Sequence, residues 1–448
     1  MKNLALLPLF ALPVLLSCNG EEKKETKLLA DAGAPVFDSL LIIRDTADAN
    51  LFKHNEASVG VFRELYRDLS AAAKLDKPLR ILHYGDSQIE ADRITGAFRN
   101  KVQERFGGFG AGLLPVSEVS EARVNVIREY SDNWEHYDLR LKKNKEVPDN
   151  CFGYACTVHR FSSLAKNAGS NTYLESWLKL KSNSQSRLNE RKAEHISIFY
   201  RNMFDNASYT IQSDTALLAQ GELVKSNGFS VIRTKLPATD LGKLQVTLSA
   251  TQSPDIFGIS LDAANGVSVD NISLRGSSAI EFTNMDTLFL REQLAGINAR
   301  LLIFQFGTNL VPNIVKDYSY YEELFYKQLA MFRRIAPNTA IVVIGVPDMA
   351  RKVKGKYVSY PNIEKVLAAQ ERAADRAGCA FWNLYKIMGG QNAMSTWVKN
   401  GLANRDYTHF SNKGAEHVGT LLFDALIKDY ERFNRQEKDL GKKQLATR

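Results

Sequence analysis

The sequence predicts an α/β protein: a parallel sheet covered by helices on both faces, with an antiparallel β domain inserted into it. Two observations support this prediction. Continuous apolar runs alternate with segments of helical periodicity in residues 51–115 and 266–435, as expected for a sheet with both faces covered. Between them, residues 116–265 contain short runs of alternating apolar and polar residues separated by Asn, Asp, Ser and Gly, which is typical of a β-sandwich.

The first α/β unit is a strand over residues 79–84 followed by a helix over residues 88–106. One helical face consists of residues that recur every four positions, namely Ile94, Phe98, Val102 and Phe106. Gly107 supplies a C-terminal stop for this helix. Ser87 therefore lies in the turn at the carboxyl end of the first strand.

The α/β alternation resumes after residue 266. Apolar runs predict strands over the segments 266–276, 299–307, 340–346 and 379–385. One face of an intervening helix consists of Tyr321, Phe325, Leu329 and Phe332, and a second helix ends at Gly378. The last helix begins near Ser411 or Asn412, both good N-caps, and residues 436–448 form a polar, frayed tail. Together these elements predict a three-layer arrangement around the parallel sheet.

Groups suited to nucleophilic catalysis follow several of the predicted strands. Ser87 is the candidate nucleophile, His409 the candidate general base, and Asp406 the group that orients the imidazole. Because sites in open α/β sheets gather at the carboxyl ends of strands, we expect these residues to meet. The backbone N–H groups of Ser87 and Gly276 and the side-chain amide of Asn309 are candidate oxyanion donors. Each residue alone could equally be a helix cap or a turn residue.

The motifs resemble those of the SGNH/GDSL hydrolase family. Residues 85–87 (GDS) match its first block, Gly276 its second, residues 307–309 (GTN) its third and residues 406–409 (DYTH) its fifth. Further similarity, for example in HYGDSQIEADRITGAFR, is to the peptidoglycan O-acetylesterase branch, in which a carbohydrate-binding type of β-sandwich interrupts the hydrolase. The chain departs from the common pattern at Gln88 and Leu310, positions without a catalytic role in the family scheme.

The N-terminus has the pattern of a targeting segment. Lys2 precedes an apolar stretch of thirteen residues, Leu4 to Leu16, which is too short to span a bilayer. It ends in Leu-Leu-Ser-Cys, which resembles a bacterial lipobox and predicts a signal peptide over residues 1–18 with a lipid on Cys18; an ordinary signal peptide is the alternative. Residues 19–50 are expected to form a tether. Acidic residues behind Cys18 resemble export signals of Bacteroidota lipoproteins, so we expect an exported lipoprotein on the periplasmic or surface face of the outer membrane.

Composition limits the remaining possibilities. The formal net charge of +8 reflects either scattered surface lysines or affinity for an anionic polymer or membrane surface, and the absence of a basic block interleaved with aromatics argues against nucleic acid. Cys151 and Cys156 form either a disulfide or two free thiols, and Cys379 is expected in the core. No Cys/His cluster has metal-ligand spacing, so we expect neither a metal nor another cofactor. Nothing in the sequence indicates the oligomeric state.

The resemblance and the candidate residues together predict a cell-envelope serine esterase that removes O-acetyl groups from a glycan, with peptidoglycan or another bacterial polysaccharide as substrate. The same residues would serve a lipase or a thioesterase, although no long apolar lid segment is visible. A non-catalytic glycan-binding lipoprotein, in which the hydrolase half is only a scaffold, is a further alternative. The presence of Ser87, Asp406 and His409 argues against it.

Overall fold

The computed structural model describes residues 50–118, 123, 125–140, 146–163, 173–214, 216–237 and 239–446, with side chains as far as residue 437 in the last helix. These residues belong to one compact unit, Asp45–Arg448. The predicted signal peptide, Cys18 and nearly all of the predicted tether lie outside the described residues. Asn50, at the end of that tether, is already buried; its side chain hydrogen-bonds to Leu421 and Trp382.

The secondary structure is numbered here in chain order. The strands are β1 (Leu79–Gly85), β2 (Gly112–Leu114), β3 (Val126–Tyr130), β4 (Trp134–Asp138), β5 (Thr157–Phe161), β6 (Leu174–Ser182), β7 (His195–Asn202), β8 (Ala207–Ser213), β9 (Leu217–Glu222), β10 (Ser226–Lys235), β11 (Lys243–Ala250), β12 (Asp255–Asp262), β13 (Val267–Ser273), β14 (Ala299–Gln305), β15 (Ala340–Ile344), β16 (Ala350–Val353), β17 (Lys356–Ser359) and β18 (Ala380–Trp382). The α-helices are α1 (Glu56–Ala71), α2 (Arg93–Phe106), α3 (Thr287–Gly296), α4 (Ser319–Ile335), α5 (Ile363–Arg376), α6 (Leu384–Met388), α7 (Ala393–Lys399) and α8 (Asn412–Ala446).

A parallel sheet with the strand order β13-β1-β14-β15-β18 forms the centre of the α/β part. Successive side chains of a strand point to opposite faces of the sheet, and in these strands the side chains on both faces are buried. Leu302 and Phe304 of β14 pack on the side of α3, α4 and α5, whereas Leu301 and Ile303 pack on the side of α1, α2 and α8. The parallel sheet and the helices on its two faces agree with the sequence prediction.

The segment between α2 and β13 forms two antiparallel sheets. One has the order β10-β7-β12-β5-β4, with β2 paired to β12, and the other has the order β3-β6-β11-β8-β9. Five of the alternating runs in this segment, which begin at His195, Ala207, Phe229, Lys243 and Asp255, lie in strands here, namely β7, β8, β10, β11 and β12. The two sheets share one hydrophobic core, to which Ile198 and Leu261 contribute from the first and Leu178 and Val246 from the second.

This β segment is packed directly against the parallel sheet. Strand β12 is buried on both faces: Ile259 enters the core between the antiparallel sheets, whereas Phe257 enters the core of the α/β part. The buried guanidinium of Arg80 in β1 forms ion pairs of 2.6 Å with Asp262 of β12 and with Asp270 of β13. The inserted segment therefore covers part of the core of the α/β part as well as enclosing its own core.

Several predicted boundaries are wrong. The helix expected over residues 88–106 begins only at Arg93, because the 3-10 turns of Ser87–Asp92 are interrupted by a kink: Glu90 and Ala91 have non-helical backbone angles, and φ is positive at Ala91 and Asp92. The strand expected over residues 379–385 is limited to β18; Asn383 then caps α6 by accepting a hydrogen bond from Lys386 N. Helix α8 continues through the polar tail to Ala446.

The sequence prediction also contains no counterpart of the β16–β17 hairpin, whose residues are almost all exposed. A strand that is exposed on both faces lacks the apolar–polar alternation by which strands are recognised. Among the described helices, none combines the length and the apolar character needed to cross a membrane.

Candidate active site

The turn that follows β1 holds Ser87 at the carboxyl edge of the parallel sheet. Gly85 is required there because a Cβ atom would lie 2.9 Å from the Ile89 side chain and 3.0 Å from the Gln305 carbonyl. Asp86 is fully buried and its carboxylate accepts hydrogen bonds from the backbone N–H groups of Gln88 (3.0 Å) and Thr308 (3.2 Å). Burial raises the pKa of Asp86 to about 6, although these hydrogen bonds oppose the rise. Asp86 thus fixes the turn to the loop after β14.

The structure brings Ser87, His409 and Asp406 into one hydrogen-bonded line. The Oγ atom of Ser87 lies 2.8 Å from Nε2 of His409, and Nδ1 of the same ring lies 2.8 Å from Oδ2 of Asp406. An ionised carboxylate that accepts a hydrogen bond from Nδ1 favours the tautomer with its proton on Nδ1. Nε2 is then unprotonated and can accept the serine proton. This arrangement is that of a nucleophile, a general base and the group that orients the base.

Asp406 also organises the backbone of its own loop. Its Oδ1 atom accepts hydrogen bonds from the N–H groups of Thr408 (2.9 Å) and His409 (3.0 Å). Burial alone would raise the pKa of Asp406, but the hydrogen bonds from His409 and Thr408 outweigh it and hold the pKa below its usual value of 3.8. The carboxylate is therefore ionised at neutral pH, as its orienting role requires.

Two further side chains join the turn at residues 86–92, here called the nucleophile turn, to the loop at residues 400–411, here called the histidine loop. The buried Gln88 donates from Nε2 to the Thr408 carbonyl (2.7 Å) and accepts at Oε1 from Phe410 N (3.3 Å). Arg93 donates to the carbonyls of Phe410 (2.7 Å) and Ser87 (3.2 Å). Gln88 and Arg93 thus bracket His409 on both sides, and the sequence analysis did not identify either role.

The candidate oxyanion donors lie beside Ser87. Ser87 is the first residue of a 3-10 helix, so its backbone N–H has no acceptor within that helix. Gly276 has a φ of +83°, which favours glycine, and a Cβ atom placed there would meet nothing within 4 Å. The Asn309 side chain donates from Nδ2 to the Ser277 carbonyl (2.8 Å), which fixes the amide plane and leaves its second N–H for another acceptor.

These residues all line one cavity of about 1010 Å³. It contains Ser87, Gly276, Asn309, Asp406 and His409, so the predicted catalytic and oxyanion residues are brought together. The inserted β segment supplies part of the opposite wall, through Asn125, Gln185, Ser186, Arg187 and Glu190. The cavity is therefore built jointly by the α/β part and by the insertion.

An ionic network fixes this wall to the nucleophile turn. The fully buried Arg99 of α2 forms ion pairs with Asp92 (2.6 Å), at the end of the turn, and with Glu190 (3.0 Å) of the insertion. Asn125 of the insertion also donates to Asp92 (2.8 Å). Burial opposes ionisation of Asp92, but the neighbouring Arg99 guanidinium outweighs it and lowers the pKa of the carboxyl. The network explains why the chain leaves the helical path at Ala91 and Asp92.

Cys151, Cys156 and Cys379 do not line this cavity. Cys151 and Cys156 are free thiols, which is the second of the two alternatives that the sequence left open. Cys156 is instead buried in the hydrophobic core, against which Cys151 packs, and Cys379 is buried there too. Across the described part of the chain, no group of three or more His, Cys, Asp or Glu side chains is arranged to hold a metal ion.

Comparison with known proteins supports the fold. No protein-family model and no curated protein sequence matches the chain. A solved structure of a peptidoglycan O-acetylesterase is similar to this one, with 21% sequence identity, a TM-score of 0.66 and coverage of 85% of this chain and 99% of that chain. The chain therefore has the same fold as a solved peptidoglycan O-acetylesterase, the type of enzyme to which the motifs are similar.

Two other solved structures are much less similar. A family two carbohydrate esterase from Cellvibrio japonicus has 8% identity and a TM-score of 0.26, with coverage of 68% of this chain and 99% of that chain. An acetyl xylan esterase has 15% identity and a TM-score of 0.28, with coverage of 36% and 81%. At these TM-scores neither structure bears on the fold.

Proposed function

We propose that the protein is a serine esterase of the cell envelope that removes O-acetyl groups from a glycan, with peptidoglycan as the favoured substrate. The observation that carries this proposal is the hydrogen-bonded line Ser87–His409–Asp406, with contacts of 2.8 Å and 2.8 Å. Gly276 lines the same cavity, and among the described residues none other than its two chain neighbours lies within 4 Å of the position that a Cβ atom would take there. Such a line activates a hydroxyl for attack on an acyl carbon.

The reaction follows from these contacts. Ser87 Oγ attacks the acetyl carbonyl carbon as its proton passes to His409 Nε2, and the resulting oxyanion is held by the N–H groups of Ser87, Gly276 and Asn309. His409 returns the proton to the sugar oxygen as the ester bond breaks. Water, deprotonated by His409, then hydrolyses the acetyl-serine to release acetate. One oxyanion donor contributes roughly 3–4 kcal/mol to the stabilisation of the transition state.

The dimensions and lining of the cavity favour a polymeric, polar substrate. Its volume of about 1010 Å³ slightly exceeds the roughly 300–1,000 Å³ of small-molecule pockets, and most of its lining residues are polar or charged. The similar fold of a peptidoglycan O-acetylesterase supports an acetylated glycan over a lipid. A lipase or thioesterase would require an apolar surface for the acyl chain.

The test measures acetate release from purified O-acetylated peptidoglycan and from acetylated xylan, and fatty-acid release from a long-chain acyl ester, by the full-length protein. We expect acetate from at least one glycan and little hydrolysis of the long-chain ester. Preference for peptidoglycan over xylan would support the favoured substrate. Hydrolysis of the long-chain ester alone would contradict the proposal and favour a lipase.

We further propose that a lipid on Cys18 attaches the protein to the membrane, which rests on the lipobox-like Leu-Leu-Ser-Cys. An apolar stretch of thirteen residues is too short to serve as a transmembrane anchor, so attachment would depend on the lipid. Cys18→Ser is expected to move the processed protein from the membrane fraction to the soluble fraction. Membrane association of the processed Cys18→Ser variant would contradict this assignment.

A further inference from the structure

The β16–β17 hairpin projects from the molecule beside the loop that carries the catalytic histidine. Its two strands pair in register from Ala350↔Ser359 to Val353↔Lys356. The turn residues Lys354 and Gly355 have φ angles of +48° and +82°, as in the tight primed turns that match the twist of two paired strands. The hairpin is thus a well-defined element despite its exposure.

One face of the hairpin contacts the histidine loop. Tyr357 stacks on Tyr407, with ring centroids 3.5 Å apart and planes inclined by 7°, and Ala350 N donates to the Tyr407 carbonyl (3.0 Å). Tyr407 lies between Asp406 and His409 in the chain. Lys352 is the cross-strand partner of Tyr357 and lies on the same hairpin face, since paired residues share a face.

The hairpin carries a concentrated positive charge. Its exposed cations are Arg351, Lys352, Lys354 and Lys356, and within the described residues none of them forms an ion pair with a carboxylate. The guanidinium of Arg351 lies 5.6 Å from the centroid of the Tyr360 ring. Four unpaired cations in ten residues create a local positive potential in a protein whose net charge is already +8.

The charges inside the catalytic cavity, by contrast, are compensated. Glu90 pairs with Arg275 (3.2 Å), and Arg187 pairs with both Glu190 (3.6 Å) and Glu416. The remaining cation of the lining, Arg93, donates to the carbonyls of Phe410 and Ser87, so an anionic substrate finds little other positive charge within the cavity itself. Outside the cavity, the hairpin adds four exposed cations beside the histidine loop, which itself carries the exposed Arg405.

We propose that the β16–β17 hairpin binds carboxylates of the polymer whose acetyl group is at Ser87, so that the preferred substrate is an anionic O-acetylated glycan. This inference rests on the proposed esterase function. A chain that leaves the cavity over the histidine loop meets Lys352 on the hairpin face that contacts this loop. Lys354 in the turn and Lys356 on the opposite face add to the local positive potential. The interaction is exposed, so it is screened by salt and acts on substrate capture more than on bond cleavage.

The test uses one soluble O-acetylated peptidoglycan preparation in two forms, with its carboxylates free or converted to amides. The measured quantity is the ratio of kcat/KM for the free form to kcat/KM for the amidated form. In the full-length protein at low ionic strength we expect this ratio to be about tenfold, because each of the three exposed lysines contributes only modestly to substrate capture. Added salt should reduce the ratio towards one.

The hairpin variant combines Lys352→Gln, Lys354→Asn and Lys356→Gln; asparagine tolerates the positive φ of the turn. It is expected to bring the ratio close to one even at low salt. A matched variant with Lys74→Gln, Lys181→Gln and Lys235→Gln removes the same charge from exposed positions elsewhere and should retain the preference. Because each ratio compares two forms of one polymer, a general loss of activity or stability cancels.

The outcomes separate the two proposals. Hydrolysis of both forms at equal rates by the unmodified protein, or a preference that survives in the hairpin variant, would overturn the role of the hairpin and leave the esterase function intact. Hydrolysis of neither form would instead count against the esterase proposal. Hairpin-dependent sedimentation with phosphatidylglycerol-containing vesicles, without a preference between the two polymers, would assign the hairpin to a membrane surface and also overturn the inference.

Discussion

At the scale of single residues, the catalytic candidates could be predicted because their side-chain chemistry is distinctive. A serine after a strand and an Asp-x-x-His near the end of the chain identify Ser87, Asp406 and His409, and the structure joins all three by hydrogen bonds. Gln88 could not be predicted in the same way. Its partners are backbone groups of Thr408 and Phe410, about 320 residues away, and backbone groups leave no pattern in a sequence.

The position of Gln88 predicts an effect on catalysis without contact with substrate. Gln88→Leu removes both hydrogen bonds to the histidine loop, so we expect kcat to fall by roughly tenfold to a hundredfold with a small change in KM, because a base displaced by about 1 Å is less effective. Gln88→Glu retains an acceptor for Phe410 N and should lose less activity. Steady-state kinetics on a chromogenic acetate measure both variants. A change in KM alone would show that Gln88 acts on binding and does not position His409.

At the scale of elements, strong periodicity predicted the buried strands and helices. Elements that are exposed, or whose ends are set by tertiary contacts, could not be predicted in this way. The four-residue spacing of α2 gave no sign that the helix starts at Arg93, since the kink depends on Arg99, Asp92 and Glu190 meeting in space. The β16–β17 hairpin was missed because residues 351–357 are all exposed, so its strands lack the apolar–polar alternation of a half-buried strand.

Strand β1 also carries a polar group whose environment has a consequence for stability. His83 is fully buried between Gln305 (3.1 Å) and Thr95 (2.9 Å), and burial lowers its pKa to about 4. The unfolded chain binds a proton at this residue below its ordinary pKa of 6.5, whereas the folded protein does not until about pH 4. Stability is therefore lost as the pH falls from about 6.5 to about 4, by on the order of 3 kcal/mol.

The prediction is tested by urea unfolding of the protein and of His83→Gln between pH 7 and pH 4. His83→Gln is expected to be the less stable of the two at pH 7, because it disturbs the buried hydrogen bonds. As the pH falls, the difference between the two should shrink by on the order of 3 kcal/mol. Parallel loss of stability in both proteins would exclude His83 as the source of acid sensitivity.

At the scale of the whole molecule, the sequence predicted that a β segment interrupts the α/β part, but not how closely the two parts are joined. The reason is that the joining groups, such as Arg80 and Asp262, lie 182 positions apart and look like ordinary charged residues in the sequence. In the structure, β12 is buried on both faces and Phe257 packs into the hydrolase core. The insertion is thus a structural part of the catalytic unit.

This packing predicts cooperative unfolding that depends on the buried ion pair. Asp262→Ala leaves Arg80 short of one buried partner, so we expect the free energy of unfolding to fall by about 3–5 kcal/mol in one transition. Lys225→Ala, which breaks the exposed Lys225–Asp205 pair, is the control and should cost no more than about 1 kcal/mol. Thermal unfolding followed by circular dichroism and by residual activity measures both variants. Loss of β structure at a temperature where activity persists would show that the insertion is independent.

The central claim is that Ser87 is the nucleophile of an esterase, and active-site labelling tests it most directly. A fluorophosphonate probe forms a covalent bond with an activated serine, and peptide mass spectrometry locates the adduct. We expect the adduct on Ser87, with labelling and turnover of a chromogenic acetate both lost in Ser87→Ala while its circular dichroism spectrum is unchanged. Labelling of another serine, or turnover retained in folded Ser87→Ala, would contradict the account.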